Sequence, residues 1–198
     1  MVDYETFMKH AKAVTDSITS ELERHQNLKG VKHFEDGSAV VTDAFRLYLA
    51  KGVHNRTDGV VISPGGKKLN VDYPNVKRLI PDNNGAKQEF QIHVQALLEA
   101  ADIIHSVGKM IEGKSIMKFE GNTVSYQSFE IGGFRYQREL SVTFETSFWM
   151  DPKFVMDAMK LFKAAKCDDV TFRFFGAMRP VTFECDNLIA LILPIRKY

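Results

Sequence analysis

The chain has 198 residues, of which 44% are hydrophobic and 26% charged. This is the ordinary composition of a soluble globular protein, and it excludes a disordered or fibrous chain. The 26 basic and 25 acidic residues give a net charge of +1, so any nucleic-acid contact must come from a local basic patch. The longest apolar run, 188–195, is far shorter than the roughly 20 residues that cross a bilayer. The N-terminus lacks the apolar stretch of a secretory signal, and we expect a cytoplasmic protein without membrane contact.

The first predicted unit is a helix followed by short antiparallel strands. Apolar residues recur every three or four positions from Tyr4 to Arg24, the period of a helix with one buried stripe. The stripe consists of Phe7, Ala11, Val14, Ile18 and Leu22. Strands are predicted at 31–34, 39–41, 45–49, 60–62 and 67–72. Residues 81–85, Pro-Asp-Asn-Asn-Gly, then interrupt all periodicity.

Two further units follow the same order of helix and strands. A strand at 90–92 precedes a helix from Val94 to about Gly108, and the turn Gly121-Asn122 separates strands at 115–120 and 123–129. A long strand at 134–146 leads to Asp151-Pro152, a cap residue and an N1 proline that predict a third helix start. The last strands are predicted at 170–175, 181–185 and 188–193. The fold class is therefore α+β, with a helix-plus-antiparallel-meander unit repeated three times.

Neither the cysteines nor the histidines predict a metal or catalytic site. Cys167 and Cys185 lack the spacing of metal ligands, and in a reducing compartment we expect two buried thiols. The six histidines show no paired spacing on one element, and no serine or cysteine nucleophile signature is present. We predict no enzyme activity, no metal and no cofactor.

Residues 108–115 match the phosphate-loop pattern of two glycines, a lysine and a hydroxyl residue. In that motif a strand comes before the loop and a helix after it, so that backbone amides cradle the phosphates. Here the predicted order is inverted, with a helix before and a strand after. A nucleotide-binding enzyme that uses Lys114 is therefore the least favoured interpretation.

The third helix carries Lys153, Lys160, Lys163 and Lys166, and three of them recur at spacings that share one helix face. A solvated face is the more common meaning of such a stripe, because lysine often fills exposed helix positions. A phosphate-contacting face is the alternative.

Three short runs resemble the bacterial sliding clamp family, the beta subunit of the replicative DNA polymerase. Residues 42–47 read Thr-Asp-Ala-Phe-Arg-Leu and resemble the clamp motif Thr-Asp-Gly-His-Arg-Leu. Residues 73–81 are similar to the interdomain segment Phe-Pro-Asp-Tyr-Arg-Arg-Val-Leu-Pro, and residues 191–196 to the terminal Val-Met-Pro-Met-Arg. Ala44 and Phe45 replace the glycine and histidine of the first motif, and two residues follow the terminal arginine. The runs keep the clamp order and flank the three units.

The resemblance implies a DNA-clamp-like fold, with 1–82 as a half domain, 83–87 as a linker and 88–198 as a complete last domain. Clamps have three domains, and this length suggests a shortened version from a phage or other mobile element. The family implies no catalysis. It implies a processivity factor that encircles double-stranded DNA with helices on the inner face, independently of sequence. Carried over to this sequence, the DNA contacts are Arg24, Lys29, Lys160 and Lys163.

The resemblance also implies a groove that binds short linear motifs of DNA polymerase or other replication proteins. An extended peptide needs an apolar slot with a few polar groups that fix its orientation. The aliphatic residues of the last strand have an alternative role, which is to form part of the sheet core. The predicted groove residues are Leu28, Thr42, Phe45, Arg46, Leu47, Pro74, Arg78, Leu79, Pro180, Leu191, Ile192, Leu193, Pro194 and Ile195.

Two functions remain open after this comparison of motifs. The first is a clamp-like protein that tethers a polymerase on DNA, and the second is a clamp mimic that binds or sequesters replication proteins without encircling DNA. A lone first unit would leave the stripe of its helix only partly covered and its strand edges open, and both features favour association. We therefore predict a homodimer through residues 1–72, against a monomer in which that helix folds back onto the second domain.

Overall fold

In the computed structural model, the described residues are 1–19, 23–112, 115–128 and 133–196. They form three α-helices, α1 (Tyr4–Thr15), α2 (Val94–Glu112) and α3 (Pro152–Ala164). Short 3-10 turns lie at Glu23–Leu28, Lys77–Leu79 and Asn83–Gly85. The strands are β1 (Val31–His33), β2 (Ala39–Thr42), β3 (Arg46–Ala50), β4 (Val61–Ile62), β5 (Lys68–Leu69), β6 (Gln88–His93), β7 (Met117–Gln127), β8 (Arg135–Met150), β9 (Asp169–Phe174), β10 (Val181–Cys185) and β11 (Leu188–Ile192).

Two of the helices begin at side-chain caps. The carboxylate of Asp3 accepts a hydrogen bond from the backbone N–H of Thr6 at 2.8 Å, at the start of α1. The carboxylate of Asp151 accepts from the N–H of Lys153 at 2.8 Å, and Pro152 occupies the first helical position of α3. Each cap satisfies an N–H that the helix itself leaves unpaired, so the predicted start of the third helix is confirmed.

Nine strands form one antiparallel sheet in the order β5-β4-β1-β2-β3-β11-β10-β9-β6. The pairing of β3 with β11 sets Arg46 opposite Ile192 and Ala50 opposite Leu188, which joins the first unit directly to the last strand. β7 and β8 form a separate two-stranded sheet. The α+β architecture with antiparallel meanders is confirmed. The domain limits at 82 and 88 stay a prediction, while the first and last units share one sheet.

The sheet is buried on both faces at its centre. Tyr48 and Ala50 point to the helix side and pack in the core with α1, whereas Leu47 and Leu49 point to the opposite side, as the two-residue period of a strand requires. The chain segment containing Tyr73 and Val76 packs against this opposite face. Phenylalanines fill the core between the two sheets, with ring centroids 4.7–6.0 Å apart among Phe119, Phe144, Phe148, Phe172 and Phe174.

Several predicted boundaries are wrong. The first helix ends at Thr15 instead of Arg24. No turn divides the strand at Gly121-Asn122: β7 runs through both residues, and the pairing with β8 shifts register on either side of Gly121. Gly121 has φ +54°, the left-handed conformation that glycine adopts at little cost, so it accommodates an irregularity inside the strand. The predicted linker contains the 3-10 turn Asn83–Gly85.

The stripe of α1 is covered by the chain itself. Phe7, Ala11, Val14 and Ile18 are all buried, and α1 packs against β2, β3 and α3. Leu22 lies outside the described residues. The reason given for the homodimer, an open stripe on the first helix, is therefore wrong, and the oligomeric state stays a prediction.

The two cysteines are not separate thiols. Cys167 and Cys185 are joined by a disulfide bond, which corrects the prediction of two buried thiols. Among the described residues, the helices are too short or too polar to span a bilayer.

Candidate functional site

The structure creates an exposed apolar surface where β3 begins and β11 ends. Between β2 and β3 the chain makes a tight turn in which the Asp43 carboxylate accepts hydrogen bonds from the N–H groups of Phe45 and Arg46, each at 3.0 Å. Ala44 has φ +77°, a left-handed conformation that costs energy for a residue with a Cβ. This turn projects the ring of Phe45 outward, where it is 50% exposed.

The chain after β11 lies beside Phe45. The N–H of Leu193 donates to the carbonyl of Phe45 at 2.9 Å, and the N–H of Ile195 donates to the carbonyl of Trp149 at 2.7 Å. Pro194 lies between these two anchored residues. On the other side the ring of Phe154, in the first turn of α3, stacks near Phe45 with centroids 6.4 Å apart. We call Phe45, Phe154, Leu193, Pro194 and Ile195 the apolar ledge.

A buried arginine supports the ledge from below. The Arg46 side chain has no solvent exposure, and its Nε donates to Asp43 at 2.9 Å. Its Nη1 donates to Asp157 at 2.6 Å and its Nη2 to the carbonyl of Ala13 at 3.0 Å. The guanidinium also lies 4.6 Å from the ring centroid of Phe154. Arg46 therefore links α1, β3 and α3 and holds Phe154 in place, and its side chain does not face the ledge surface.

Asp157 carries the opposite charge of this network. Burial alone would raise its pKa, but hydrogen bonds from Arg46 and from Lys153, the latter at 2.6 Å, outweigh burial and lower the pKa. The carboxylate is thus ionised at neutral pH and fully paired. The charges of Asp43 and Asp157 are therefore compensated by Arg46 and Lys153.

A second apolar element packs against the face of the sheet opposite the helices. Val76 packs in one cluster with Leu47 and Leu191, and the 3-10 turn Lys77–Leu79 follows it directly. Lys77 anchors this turn through an ion pair with Asp36 at 2.6 Å and by its position 3.9 Å from the ring centroid of Phe34. Leu79 is left 53% exposed.

The predicted groove residues divide into two groups. The first group is exposed or half-buried and available to a ligand: Phe45, Pro74, Arg78, Leu79, Pro180, Leu193, Pro194 and Ile195. The second group is buried and forms the support beneath: Leu28, Thr42, Arg46, Leu47, Leu191 and Ile192. The sheet-core alternative therefore describes Leu191 and Ile192, whereas the residues after them are accessible. That these residues bind a peptide stays a prediction.

Sequence reasoning missed Phe154. Its position in the apolar stripe of the third helix looks like an ordinary core position, and only the fold brings it to Phe45. Phe154 follows directly after the cap and proline that start α3, and this early position in the helix was the available signal.

The predicted DNA contacts lie mainly on the helix layer. Lys160 and Lys163 are exposed on α3, and Nζ of Lys163 donates to the side chain of Gln95 on α2 at 2.8 Å. α1 packs beside α3, where burial first and then the charges of Lys9 and Lys160 lower the pKa of His10. Lys29 is half-buried in a cleft with Lys12, Asp16 and Ser63. The side chain of Arg24 lies outside the described part of the chain.

The phosphate-loop pattern does not adopt the geometry that its chemistry requires. Residues 108–112 belong to the end of α2, and a strand, β7, follows from Met117. A Cβ at Gly108 would lie 2.1 Å from the Cβ of Ser115, so this glycine allows a close approach of the chain to the helix. Lys114 lies outside the described residues.

Comparisons with known proteins identify the fold. No family model matches the sequence. The chain is 29% identical over 176 residues to the beta sliding clamp of Bacillus subtilis (strain 168), which covers 80% of this chain and 41% of that protein. The solved sliding clamp of Bacillus subtilis superimposes with a TM-score of 0.77 at 22% identity, covering 98% of this chain and 63% of that one.

Two other solved structures agree. The beta subunit of Streptococcus pyogenes DNA polymerase has a TM-score of 0.74 at 19% identity and covers 98% of this chain and 64% of its own. A Helicobacter pylori beta clamp bound to a DNA ligase peptide has a TM-score of 0.70 at 15% identity, with coverages of 97% and 63%. The chain thus has the sliding-clamp fold, and the resemblance found in its sequence is confirmed. It spans less than two thirds of the length of these relatives.

Proposed function

We propose that this chain, which shares the fold and sequence features of the sliding clamp family, is a clamp-like protein of DNA replication. In this proposal it is a cytoplasmic binding protein, not an enzyme, and it holds a DNA polymerase or another replication protein through the apolar ledge. The observation that carries the proposal is the position of Phe45, which is exposed beside Leu193 and fixed there by a backbone hydrogen bond. Both residues come from runs that resemble the clamp motifs.

The chemistry of the ledge suits a short extended peptide. Phe45, Phe154 and Leu193 offer apolar surface for one or two large anchors, and burying such anchors supplies most of the affinity of a small motif. Arg196 is exposed next to Ile195 and Arg78 is exposed next to Leu79, while the carboxylates of Asp43 and Asp157 are held in ion pairs with Arg46. A peptide that combines leucine or phenylalanine anchors with an acidic side chain therefore fits best. The Helicobacter pylori relative, a clamp bound to a DNA ligase peptide, supports a peptide as the ligand.

A peptide-binding measurement tests the ledge. We expect a synthetic peptide with leucine and phenylalanine anchors and one acidic residue to bind with a Kd in the micromolar range, about −8 kcal/mol. Leu193→Asp and Leu79→Asp should each weaken binding at least about tenfold, because each places a charge on an apolar contact surface. The matched control is Met110→Asp, since Met110 on α2 is 86% exposed and belongs to neither apolar element.

Calorimetry gives the affinity, and circular dichroism shows whether each variant keeps its fold. Equal binding by Leu193→Asp and the parent chain would exclude the ledge as the binding site. Equal weakening by Met110→Asp would indicate a nonspecific charge effect instead.

Contact with double-stranded DNA is the second part of the proposal. Lys160 and Lys163 are exposed on the helix layer, and charge on this face would contact phosphates without reading the sequence. The competing function is a clamp mimic that binds replication proteins without encircling DNA. Retention on closed circular DNA and loss after linearisation would support a ring, whereas no retention on either would favour the mimic.

The predicted homodimer belongs to the same proposal, although the buried apolar stripe of α1 is not available as its contact surface. Light scattering at several concentrations measures the mass directly. A monomer mass at tens of micromolar, with and without DNA, would exclude the homodimer. Because Ile18 is buried in the chain itself, we expect Ile18→Glu to destabilise the fold, so this substitution does not test the dimer.

A further inference from the structure

The end of α3 and the turn between β10 and β11 meet at the two cysteines of the chain. Cys167 follows the helix, and its N–H donates to the carbonyl of Phe162 at 3.0 Å. Cys185 ends β10. Their Cα atoms are 6.6 Å apart, within the range that a disulfide spans, and their sulfur atoms are bonded. Because the sequence contains no third cysteine, this pair has no alternative partner within the chain.

The N-terminus docks at the same place. Asp186, next to Cys185, accepts a hydrogen bond from the terminal ammonium of Met1 at 2.7 Å. Asn187 accepts from the N–H of Val2 at 2.9 Å and donates to its carbonyl at 3.1 Å. Three distant segments therefore converge on the disulfide: the end of α3, the β10–β11 turn and the first residues of the chain.

The two cysteine residues differ in exposure. Cys167 is 7% exposed and packs in the core, whereas Cys185 is half-buried at the surface. A small thiol or disulfide in solution can reach Cys185 first, and Cys167 lies in position to resolve the resulting adduct. Exchange between thiols and disulfides proceeds through such a mixed disulfide.

We propose that Cys167 and Cys185 are a reversible dithiol–disulfide couple that exchanges with small-molecule disulfides of the glutathione class. In the oxidation, the Cys185 thiolate attacks a sulfur of oxidised glutathione, forms the mixed disulfide and releases one glutathione thiolate. The Cys167 thiolate then attacks the Cys185 sulfur and releases the second. The protein dithiol gives up two electrons and two protons, and two molecules of reduced glutathione are formed.

The oxidised state ties the end of α3 to the sheet. The crosslink closes a segment with a sequence separation of 18 that contains all of β9 and most of β10. Closing a loop restricts the unfolded chain, so the oxidised protein is the more stable form. This proposal is independent of the function of the ledge, because the disulfide lies at the opposite end of α3 from Phe154.

A metal ion is the competing ligand for the reduced site. The two sulfurs and the Asp186 carboxylate lie within 4.8 Å of one another, a spacing that would allow a shared ion. The Asp186 carboxylate, however, is already paired with the terminal ammonium of Met1, which leaves two sulfur ligands, fewer than a structural zinc site uses. The geometry therefore favours the couple, and zinc is included in the test.

The test equilibrates the purified full-length chain with mixtures of reduced and oxidised glutathione, followed by alkylation and mass measurement. We expect one transition between a doubly alkylated form and an unalkylated form, with no stable glutathione adduct. The oxidised form should melt roughly 5–10 °C above the reduced form. Cys167→Ser should give a glutathione adduct at Cys185 and no difference in melting temperature between oxidising and reducing buffers. Cys185→Ser gives the same melting comparison if the first variant does not fold.

Three results would overturn the proposal. The first is a wild-type chain that carries glutathione on both cysteines without an internal disulfide. The second is equal melting temperatures for the oxidised and reduced wild-type chain. The third is a reduced chain that holds one zinc ion per molecule and forms the disulfide only after a chelator has removed the zinc.

Discussion

The guanidinium of Arg46 donates to the carboxylate of Asp157 at 2.6 Å, although the two residues are 111 positions apart in the sequence. Arg46 has no exposed side-chain surface, and the side chain of Asp157 is 12% exposed. A charge pair in such a position must be complete, because either partner alone would be a buried charge without compensation. The pair therefore makes the packing of β3 against α3 specific.

Replacing Arg46 should destabilise the protein strongly. Arg46→Met leaves Asp43 and Asp157 buried without their main cation, and we expect a loss of about 3–5 kcal/mol in the free energy of unfolding. Arg56→Met is the matched control, because the ion pair between Arg56 and Asp58 is more than 40% exposed on both sides. Such surface pairs contribute at most about 1 kcal/mol. Urea denaturation measures both variants, and equal small losses would show that the Arg46 network does not stabilise the junction.

His33 should make the stability fall as the pH is lowered from 7. Its ring is fully buried; Nδ1 donates to the carbonyl of Val31 and Nε2 accepts from the hydroxyl of Tyr4, both at 3.0 Å. Burial first, and then the nearby ring of His54, lower its pKa from 6.5 to about 4. The folded state therefore excludes a proton that the unfolded state binds below about pH 6.5, so stability decreases as the pH falls towards 4.

Denaturation at a series of pH values measures this effect. We expect a loss of about 2–3 kcal/mol between pH 7 and pH 4.5. His33→Leu should remove most of this slope, and His10, whose pKa is also lowered by burial, supplies a smaller part with the same sign. An unchanged slope in His33→Leu would assign the pH dependence to other groups.

Charge reversal on α3 should weaken DNA binding. If Lys160 and Lys163 each neutralise one phosphate, their replacement by glutamate should lower affinity and reduce the slope of log K against log salt by about 2. The control is Lys67→Glu combined with Lys68→Glu, which makes the same change in net charge at exposed positions at the start of β5. Fluorescence anisotropy with duplexes of two unrelated sequences gives both quantities. If the control weakens binding equally, the lysines of α3 form a solvated face.

Nucleotide should not bind to the residues of the phosphate-loop pattern. Since 108–112 are helical, their backbone N–H groups are committed to the helix, and we expect millimolar magnesium-ATP to leave the melting temperature unchanged. A rise that disappears in Lys114→Ala would show that the pattern binds nucleotide after all. Lys109→Ala, an exposed lysine of the same run, is the control.

The sequence predicts a helix or strand boundary where particular residue types favour that boundary. Asp151 and Pro152 predict the start of α3, because the Asp151 carboxylate caps the helix and the fixed φ of Pro152 suits its first position. The sequence does not predict the end of α1, because the apolar periodicity continues to Leu22 although the helix ends at Thr15. Gly121 predicts a turn, but a glycine inside a strand also permits a register shift, as found here. The local sequence does not distinguish a turn from a register shift.

The sequence does not predict which distant strands pair with each other. The alternation of residues in β3 predicts a strand with two faces, but it does not specify that β11 is the neighbour. The ledge was therefore reached only through the resemblance of three short runs. Arg46 was placed among ligand-facing residues by that resemblance, because the sequence does not show that Asp157 comes close enough to bury it.

The place of β11 in the sheet has a consequence for how the chain acquires its structure. β11 follows the other strands of the sheet in sequence, yet it lies between β3 and β10. Where β3 ends and β11 begins, the side-chain amide of Asn187 donates to the carbonyl of Lys51, 136 residues away. During synthesis the edge of β3 that pairs with β11 remains without its partner until the residues up to Ile192 have left the ribosome. Contacts of such long sequence separation slow folding, and an unpaired strand edge is prone to aggregation. The nascent chain therefore depends on β11 to complete the sheet, and truncation before Leu188 should yield insoluble protein.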